Sequence, residues 1–270
     1  MGKRCSIFII FWALCIISHS QNIQVTYHTD YARNAAKPNT IGSEQTKLVI
    51  AKGSSEFYSP FNIRIDSLRQ AIERRGASLS EYQKEKSKLP EGYINFRVYK
   101  NFPKKGELTF TDRFASSDYR YTELLEKPQW KIERETKEIL GYKCQKATTS
   151  FRGRTWTAWY APDIPVQDGP WKLWGLPGLI LEAKDGNSLY NFVAIGLERK
   201  DTEPISVRKK QYINCTRDEY MKQKEIYGRN PMAAIAKNAG GITIKDSKGA
   251  EVNYKDMKFE YADIEIDTRK

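Results

Sequence analysis

Apolar and polar residues alternate along much of the chain between Tyr93 and Leu197. The alternation is clearest at Ile94, Phe96 and Val98, and it recurs in further short segments. A period of two places successive side chains on opposite faces of a β-strand, so each segment is predicted to be a strand. Turn-forming residues separate the segments roughly every ten residues, which is typical of antiparallel strands joined by short turns.

We therefore predict a mainly β protein with a single curved antiparallel sheet or open half-barrel. A few short helices are expected to pack on the sheet or beside it, which makes the chain α+β at its margins. The sequence shows no internal repeat and no low-complexity linker. Residues 46–270 are therefore predicted to form one domain, with helical insertions near residues 67–88 and 217–239.

The first predicted insertion is marked by two capping boxes. Ser67 and Ser78 each stand three residues before a glutamine or a glutamate, and Gly76 lies between the two motifs. In a capping box the hydroxyl and the later side chain satisfy amide groups at the start of a helix. The pattern predicts two short helices, the second ending before Pro90.

The second predicted insertion is punctuated in the same way. Thr216 and Glu219 form a capping box, and Gly228 stands where a glycine commonly follows the end of a helix. Asn230 and Pro231 have the residue types that begin a helix, so a second helix is predicted to follow the first directly. Alternating apolar residues after this insertion predict a return to strands.

The N-terminus has the pattern of a secretory signal. Lys3 and Arg4 precede a continuous apolar run, and small residues follow it up to Ser20. The run is shorter than the roughly 20 apolar residues that span a bilayer, so cleavage is favoured over an uncleaved anchor. We predict a signal peptide at residues 1–20, a flexible segment at residues 21–45 and no transmembrane segment in the mature chain. The predicted location is the periplasm or the periphery of an outer membrane.

The chain is basic, with 45 lysines and arginines against 33 acidic residues and a formal net charge of +12. In a cytosolic protein this excess would suggest a nucleic-acid partner. Export argues against nucleic acid and leaves anionic lipid, lipopolysaccharide or an acidic polymer. Because basic and acidic residues are interspersed, a solvated surface of mixed charge also accounts for the excess.

Two cysteines remain after the predicted cleavage, because Cys5 and Cys15 lie in the signal. In an oxidising compartment, Cys144 and Cys215 either form one disulfide or remain two separate buried thiols, and the sequence leaves both alternatives open. A set of two cysteines is too small for a zinc or iron–sulfur site built on cysteine. We expect no metal and no cofactor.

A block rich in glycine, proline and tryptophan lies between residues 141 and 185. Its densest part is the run Gly175, Leu176, Pro177, Gly178, Leu179 and Ile180. Pro177 and Gly178 suit the central positions of a type II turn, in which glycine supplies a positive φ. On this structural interpretation Trp171 and Trp174 flank the loop and close the open end of the sheet.

A functional interpretation makes the same region a binding site. Five aromatic residues would line a concave surface for an acyl chain, a sugar or a peptide: Trp156, Trp159, Tyr160, Trp171 and Trp174. Arg152 and Arg154 stand beside them in the sequence and would hold a carboxylate or a phosphate. A solvated turn also explains the arginine pair.

The block resembles the GLPGLI family, exported bacterial proteins without an established biochemical activity. The resemblance rests on residues 141–147, 151–154, 158–161, 163–165, 169–171 and 175–180 and is strongest between residues 137 and 192. It implies an accessory role, because members often accompany TonB-dependent outer-membrane receptors. The strand pattern also resembles the half-barrel of lipid-binding lipoprotein carriers, and this fold-level analogy implies an apolar or lipid ligand.

Catalysis is not indicated by the motifs. The predicted mature chain has one histidine, His28, and no nucleophile elbow, metalloprotease helix or phosphate-binding loop. Four acidic residues of the block could in principle supply paired carboxylates for glycoside hydrolysis, namely Asp163, Asp168, Glu182 and Asp185. Turn chemistry accounts for three of them, because aspartate is common in turns.

We therefore predict a non-enzymatic exported accessory protein that holds an apolar ligand or a segment of a partner protein at the aromatic loop. Two alternatives remain. One is a secreted hydrolase that uses carboxylates, and the other is a structural interaction module for an outer-membrane receptor.

Overall fold

A computed structural model describes residues 22–32, 40–89, 92–114, 117–230 and 263–266 of the chain. The predicted signal peptide lies outside the described residues. The helix predicted to begin at Pro231 and the strands predicted after it lie outside them as well. Within the described ranges, no helix is long and apolar enough to cross a membrane.

The described residues contain one open sheet of twelve strands and three short helices. In chain order the strands are β1 Ile23–Ala32, β2 Ile41–Ala51, β3 Ser54–Tyr58, β4 Arg97–Lys100, β5 Glu107–Phe114, β6 Ser117–Leu124, β7 Lys131–Ile139, β8 Tyr142–Phe151, β9 Arg154–Ala161, β10 Leu179–Asp185, β11 Tyr190–Arg199 and β12 Ile213–Asn214. Their order across the sheet is β12-β6-β5-β4-β3-β2-β1-β11-β10-β9-β8-β7. Neighbours are antiparallel except β12 and β6, which run parallel. The predicted fold class is confirmed, and the sheet does not close into a barrel.

The core lies on one face of this sheet and follows its register. A row of directly opposed apolar residues crosses six neighbouring strands: Val25, Leu48, Phe57, Val98, Phe110 and Tyr121. All six side chains are buried. Because side chains alternate between the faces, this row fixes the register of the strands, since a shift by one residue would expose all of it.

The prediction of a flexible segment at residues 21–45 is wrong for the residues described in that range, 22–32 and 40–45. β1 is the seventh strand in the order across the sheet and pairs along its length with β2 and β11. Tyr27 and Tyr31 are buried at alternate positions, and the Thr29 hydroxyl shares a 2.7 Å hydrogen bond with Thr46. The aromatic and hydroxyl side chains on its buried face give β1 a polar composition, although its pattern is that of a strand.

The first helical insertion contains α1 (Pro60–Arg75) and α2 (Leu79–Lys86). α1 begins seven residues before the predicted position, because Pro60 stands at the first helical turn, where proline is favoured. Gly76 ends α1 with a φ of 60°. The predicted cap of α2 is confirmed, since the Ser78 hydroxyl accepts the Glu81 amide at 3.3 Å.

The helix α3 (Arg217–Arg229) packs beside β6. Its predicted capping box is confirmed, because Thr216 and Glu219 satisfy each other's amide groups. The prediction that Gly228 follows the helix is wrong. This glycine is buried inside the last turn, and the helix ends one residue later.

Candidate functional site

The two tryptophans at the centre of the predicted aromatic site belong to the core. Trp156 and Trp171 are fully buried, and their ring centroids lie 5.4 Å apart. Trp156 also stacks at 6.3 Å on Phe192 of β11. These rings therefore fill the space between the sheet and the loop that precedes β10, and they present no surface to a ligand.

The other three predicted aromatic residues are dispersed. Trp159 is on the opposite face of β9 from Trp156, with the Lys137 ammonium 4.5 Å from its ring centroid. Tyr160 is buried and donates its hydroxyl to Gln145 at 2.9 Å. Trp174 donates its indole N–H to a main-chain carbonyl at 2.9 Å. The five rings do not line one concave surface, because residues three positions apart in a strand face opposite sides.

The two predicted anion-binding arginines are paired with carboxylates of the chain itself. Arg154 is buried, and its Nη1 lies 2.8 Å from Asp185 Oδ2. Arg152 lies 3.2 Å from Glu123 and 3.1 Å from Glu126. The anion-binding role predicted for this pair is therefore not supported, since internal partners hold both guanidinium groups.

The Gly/Pro motif is structural, but its turn differs from the predicted one. Gly178 does not have a positive φ, whereas Gly175 does, at 89°. Gly178 is required by close packing instead, because a Cβ there would lie 2.3 Å from the Ala161 carbonyl oxygen. Leu176 is buried, and Leu179 and Ile180 are buried at the start of β10.

The loop before this motif is anchored by a buried lysine. The Lys100 ammonium donates to the carbonyls of Gly169 at 2.7 Å and Trp171 at 3.1 Å. It also pairs at 2.5 Å with Asp168. Burial lowers the pKa of Lys100, and Asp168 opposes that shift. The loop is therefore held by charge as well as by its buried indole.

Cys144 and Cys215 are free thiols, so the structure contains no disulfide between them. Burial raises the pKa of Cys144 to about 11. The Cys215 thiol lies 3.7 Å from the Arg120 carbonyl oxygen, as a weak donor. The structure shows two separate thiols, of which Cys144 is buried as predicted and Cys215 is only half-buried.

Three of the four carboxylates that suggested a hydrolase are engaged by cations of the chain itself. Asp168, Glu182 and Asp185 are each bound by a different cation, from β4, β7 and β9 respectively. Asp163 is exposed. This set therefore gives no support to paired-carboxylate catalysis.

The structure instead forms an aromatic cleft that the sequence did not suggest. The cleft lies between the buried face of the sheet, α3 and residues 263–265, and its volume is about 70 Å³. Six of its aromatic residues are Tyr31, Tyr93, Phe114, Tyr190, Tyr220 and Tyr227. They come from five separate parts of the chain, which explains why no sequence motif marks the cleft.

One wall of the aromatic cleft is positioned by a buried carboxylate of β2. Glu44 Oε1 accepts the main-chain amides of Tyr93 and Ile94, each at 2.8 Å. The Ser59 hydroxyl donates to the other oxygen of the same carboxylate. Burial raises the pKa of Glu44 although these hydrogen bonds oppose the shift. The segment before β4 is thereby fixed against the sheet.

The floor of the aromatic cleft carries charge. Asp112 of β5 is buried, and its Oδ2 accepts from the Tyr220 hydroxyl at 2.7 Å and from Lys224 Nζ at 2.6 Å. Lys224 Nζ also lies 5.0 Å from the ring centroid of Phe114. A carboxylate, an ammonium and phenolic rings are thus held together at one place.

Two further carboxyl groups line the aromatic cleft. Burial, reinforced by the negative charge of Asp112, raises the pKa of Asp263, although Lys224 and Arg154 act in the opposite direction. Burial also acts to raise the pKa of Glu265, but Lys172 and Arg217 hold it below its usual value. The pKa values of the two carboxyl groups are therefore shifted in opposite directions.

The cleft has the chemistry of a site for a polar organic ligand. Aromatic rings offer flat apolar area, and the carboxyl, hydroxyl and ammonium groups offer hydrogen bonds of both kinds. Among the residues that the structure describes, no group of three or more histidine, cysteine or acidic side chains is arranged to hold a metal ion.

The fold and the cleft define a mainly β domain with an open sheet and an aromatic, acidic cleft on its buried face. The sequence model of one family, described as "N-glycanase peptide, N-terminal domain", matches residues 75–221. The match covers more than half of the chain, and the chain belongs to this family. The matched range includes the parts of the cleft contributed by the segment before β4, by β5, by β11 and by the start of α3.

Two solved structures of PNGF-II match part of the chain. One, in a P21 crystal form, has a TM-score of 0.50 and 16% identity, and the alignment covers 75% of this chain and 32% of that one. A second, in a C2 form, has a TM-score of 0.47 and 17% identity, with 77% and 33% covered. The chain thus spans about a third of the length of the solved structures it matches. No curated protein sequence matches the chain.

The assignment to the GLPGLI family is therefore wrong, because the matching family is the N-glycanase domain. The motif that suggested it has a structural explanation. Gly175 adopts a positive φ, and Gly178 leaves room for the Ala161 carbonyl oxygen. A short motif of this kind reports loop geometry, which unrelated sequences can share.

Proposed function

We propose that this chain is an exported glycan-binding domain and that a sugar of an N-linked oligosaccharide packs against the aromatic rings at the opening of the cleft. The observation that carries the proposal is the cluster of phenolic rings around Asp112, Lys224 and Asp263. Sugars have apolar C–H faces that pack on aromatic rings, and hydroxyl groups that exchange hydrogen bonds with carboxyl and ammonium groups.

The family supports a glycan as the ligand, since its description names an N-glycanase. The chain corresponds to about a third of the solved relatives, so their activity is not carried over with the fold. Export is supported by the basic and apolar pattern of residues 1–20. A TonB-dependent receptor is not proposed as a partner, because that expectation rested on the wrong family.

Binding is favoured over catalysis by the arrangement of the cleft floor. The Asp112 carboxylate already accepts hydrogen bonds from Tyr220 and Lys224, so its role is to hold these two side chains in place. The aromatic loop is no longer proposed as the ligand site, because Trp156 and Trp171 are buried in the core.

The test is calorimetric titration of the protein with N-linked glycopeptides and with the same peptides lacking the glycan. Only the glycosylated peptides are expected to bind. Tyr227→Ala removes a cleft ring that lies 5.4 Å from Phe114 and is expected to weaken binding by about 1 kcal/mol, roughly fivefold. The matched control is Tyr82→Ala on α2, away from the cleft. Equal affinity for the glycosylated and the unglycosylated peptides would contradict the proposal that the domain binds a glycan.

A second candidate is hydrolysis of the bound glycan. It is favoured by Asp263, which lines the cleft and whose pKa is raised by burial, the direction that suits a general acid. Mass spectrometry of glycopeptides incubated with the protein detects this activity directly. Released sugar that disappears in Asp263→Ala would establish it, and an unchanged glycopeptide mass would exclude it for that substrate.

A further inference from the structure

Residues 263–266, hereafter the strap, form one wall of the aromatic cleft. Asp263, Ile264 and Glu265 all line it. The strap lies against the hairpin turn between β8 and β9, where the Ile266 amide donates to the Arg152 carbonyl at 3.1 Å. The strap is therefore attached to the sheet at the position of the two arginines that the sequence singled out.

The main chain of the strap is held by a buried guanidinium group. Arg154 donates its Nε to the Ile264 carbonyl at 3.0 Å and its Nη2 to the Asp263 carbonyl. Its Nη1 is held by Asp185 of β10. Arg154 thus joins the strap to the interior of the sheet, and its donors face protein acceptors rather than the space of the cleft.

A second attachment uses the side chain of Glu265. This carboxylate accepts from Arg217 Nε at 2.9 Å, and Arg217 Nη2 lies 2.8 Å from it. The buried Lys172 ammonium contacts its other oxygen and also pairs at 2.6 Å with Glu123 of β6. Lys172, from the loop before β10, and Arg217, from α3, therefore both pair with the Glu265 carboxylate of the strap.

Building on the proposed function, we propose that the strap carries Asp263 to the bound glycan, and that Arg154 and Arg217 are positioning residues for this contact. Arg217 does not line the cleft, and its carboxylate partners are Glu265 of the strap and, at 3.8 Å, Glu123 of β6. A glycan that touches Asp263 stabilises the docked strap, and the docked strap raises the affinity for the glycan by the same factor.

The first test loosens the strap from outside the cleft. Arg217→Met removes the contacts to Glu265, and an N-linked glycopeptide serves as the probe in calorimetric titration. If the docked fraction of the strap falls to about a tenth, the dissociation constant rises about tenfold. Arg229→Met makes the same change on the same helix at an exposed ion pair and is expected to leave the affinity within about twofold of the wild type.

The second test measures hydrogen exchange at the Ile266 amide. In the wild-type protein, saturating glycopeptide is expected to slow this exchange, since ligand binding and strap docking are linked. In Arg217→Met the exchange without ligand is expected to be faster. A strap with a structural role alone would exchange at the same rate with and without glycopeptide.

The third variant separates the ligand contact from the attachment. Asp263→Ala keeps the main-chain carbonyl that Arg154 holds, so exchange at Ile266 without ligand is expected to be no faster than in the wild type. Loss of a side-chain hydrogen bond is expected to weaken glycopeptide binding about fivefold. Normal affinity in both Asp263→Ala and Arg217→Met would overturn the role of the strap and leave glycan binding intact. A wild-type protein that binds no glycopeptide would overturn both proposals.

Discussion

Lys100→Met tests whether a buried charge holds the Gly/Pro loop on the sheet. The Lys100 side chain is 2% exposed and its partner Asp168 is 14% exposed. The substitution keeps an unbranched side chain and removes the ammonium, which leaves the carboxylate and the carbonyls of Gly169 and Trp171 without their donor.

The expected loss follows from this burial. Removing one partner of a buried ion pair typically costs about 3–5 kcal/mol, because the other charge stays desolvated. Lys137→Met provides the matched control. Its ammonium pairs with Glu182 at a similar distance, 2.6 Å, but the Lys137 side chain is 35% exposed, so water compensates and the expected loss is about 1 kcal/mol or less.

The assay is urea unfolding followed by tryptophan fluorescence, since the fully buried Trp156 and Trp171 become exposed on unfolding. Asp168→Asn in the Lys100→Met background is expected to recover part of the loss, because the unpaired charge is removed. Equal destabilisation by Lys100→Met and Lys137→Met would refute the reasoning, since it would mean that burial adds nothing to the pair.

Three further predictions concern single positions. Asp263→Asn is expected to be more stable than the wild type at neutral pH. A raised carboxyl pKa stabilises the fold only while the group is protonated, so the wild type loses this contribution as pH rises. In urea unfolding at a series of pH values, the difference in unfolding free energy between the two proteins should vanish below about pH 4. Gly178→Ala is expected to lower the unfolding free energy by about 1–3 kcal/mol, because the added Cβ would meet the carbonyl oxygen of the last residue of β9. Gly196→Ala is the control: a Cβ there has open space, and the unfolding free energy should change by less than about 0.5 kcal/mol. A thiol reductant is expected to leave the thermal midpoint unchanged, since Cys144 and Cys215 are free thiols, and a lowered midpoint would indicate a disulfide.

The sheet could be predicted because its information is local. Each strand of the core carries its own alternation, and the caps at Ser78 and Thr216 involve residues three positions apart. β1 was missed because tyrosines and threonines fill its buried face, as with Tyr27 and Thr29. Counting apolar residues makes such a strand look polar, although its buried and exposed positions alternate with a period of two.

The candidate site could not be predicted because its walls are distant in sequence. Asp112 and Lys224 are joined only when α3 packs against the end of β5. Trp156 and Trp159 are close in sequence but lie on opposite faces of β9, because successive side chains of a strand alternate between the two faces. Arg154 was singled out as a ligand contact, whereas the structure shows it holding the strap.

The most direct test of glycan binding in the aromatic cleft is a crystal structure of the protein soaked with an N-linked glycopeptide. We expect a sugar ring packed against the phenolic rings of α3 and within hydrogen-bonding distance of Asp263. A sugar bound elsewhere on the protein, with the aromatic cleft free of ligand, would contradict the proposal.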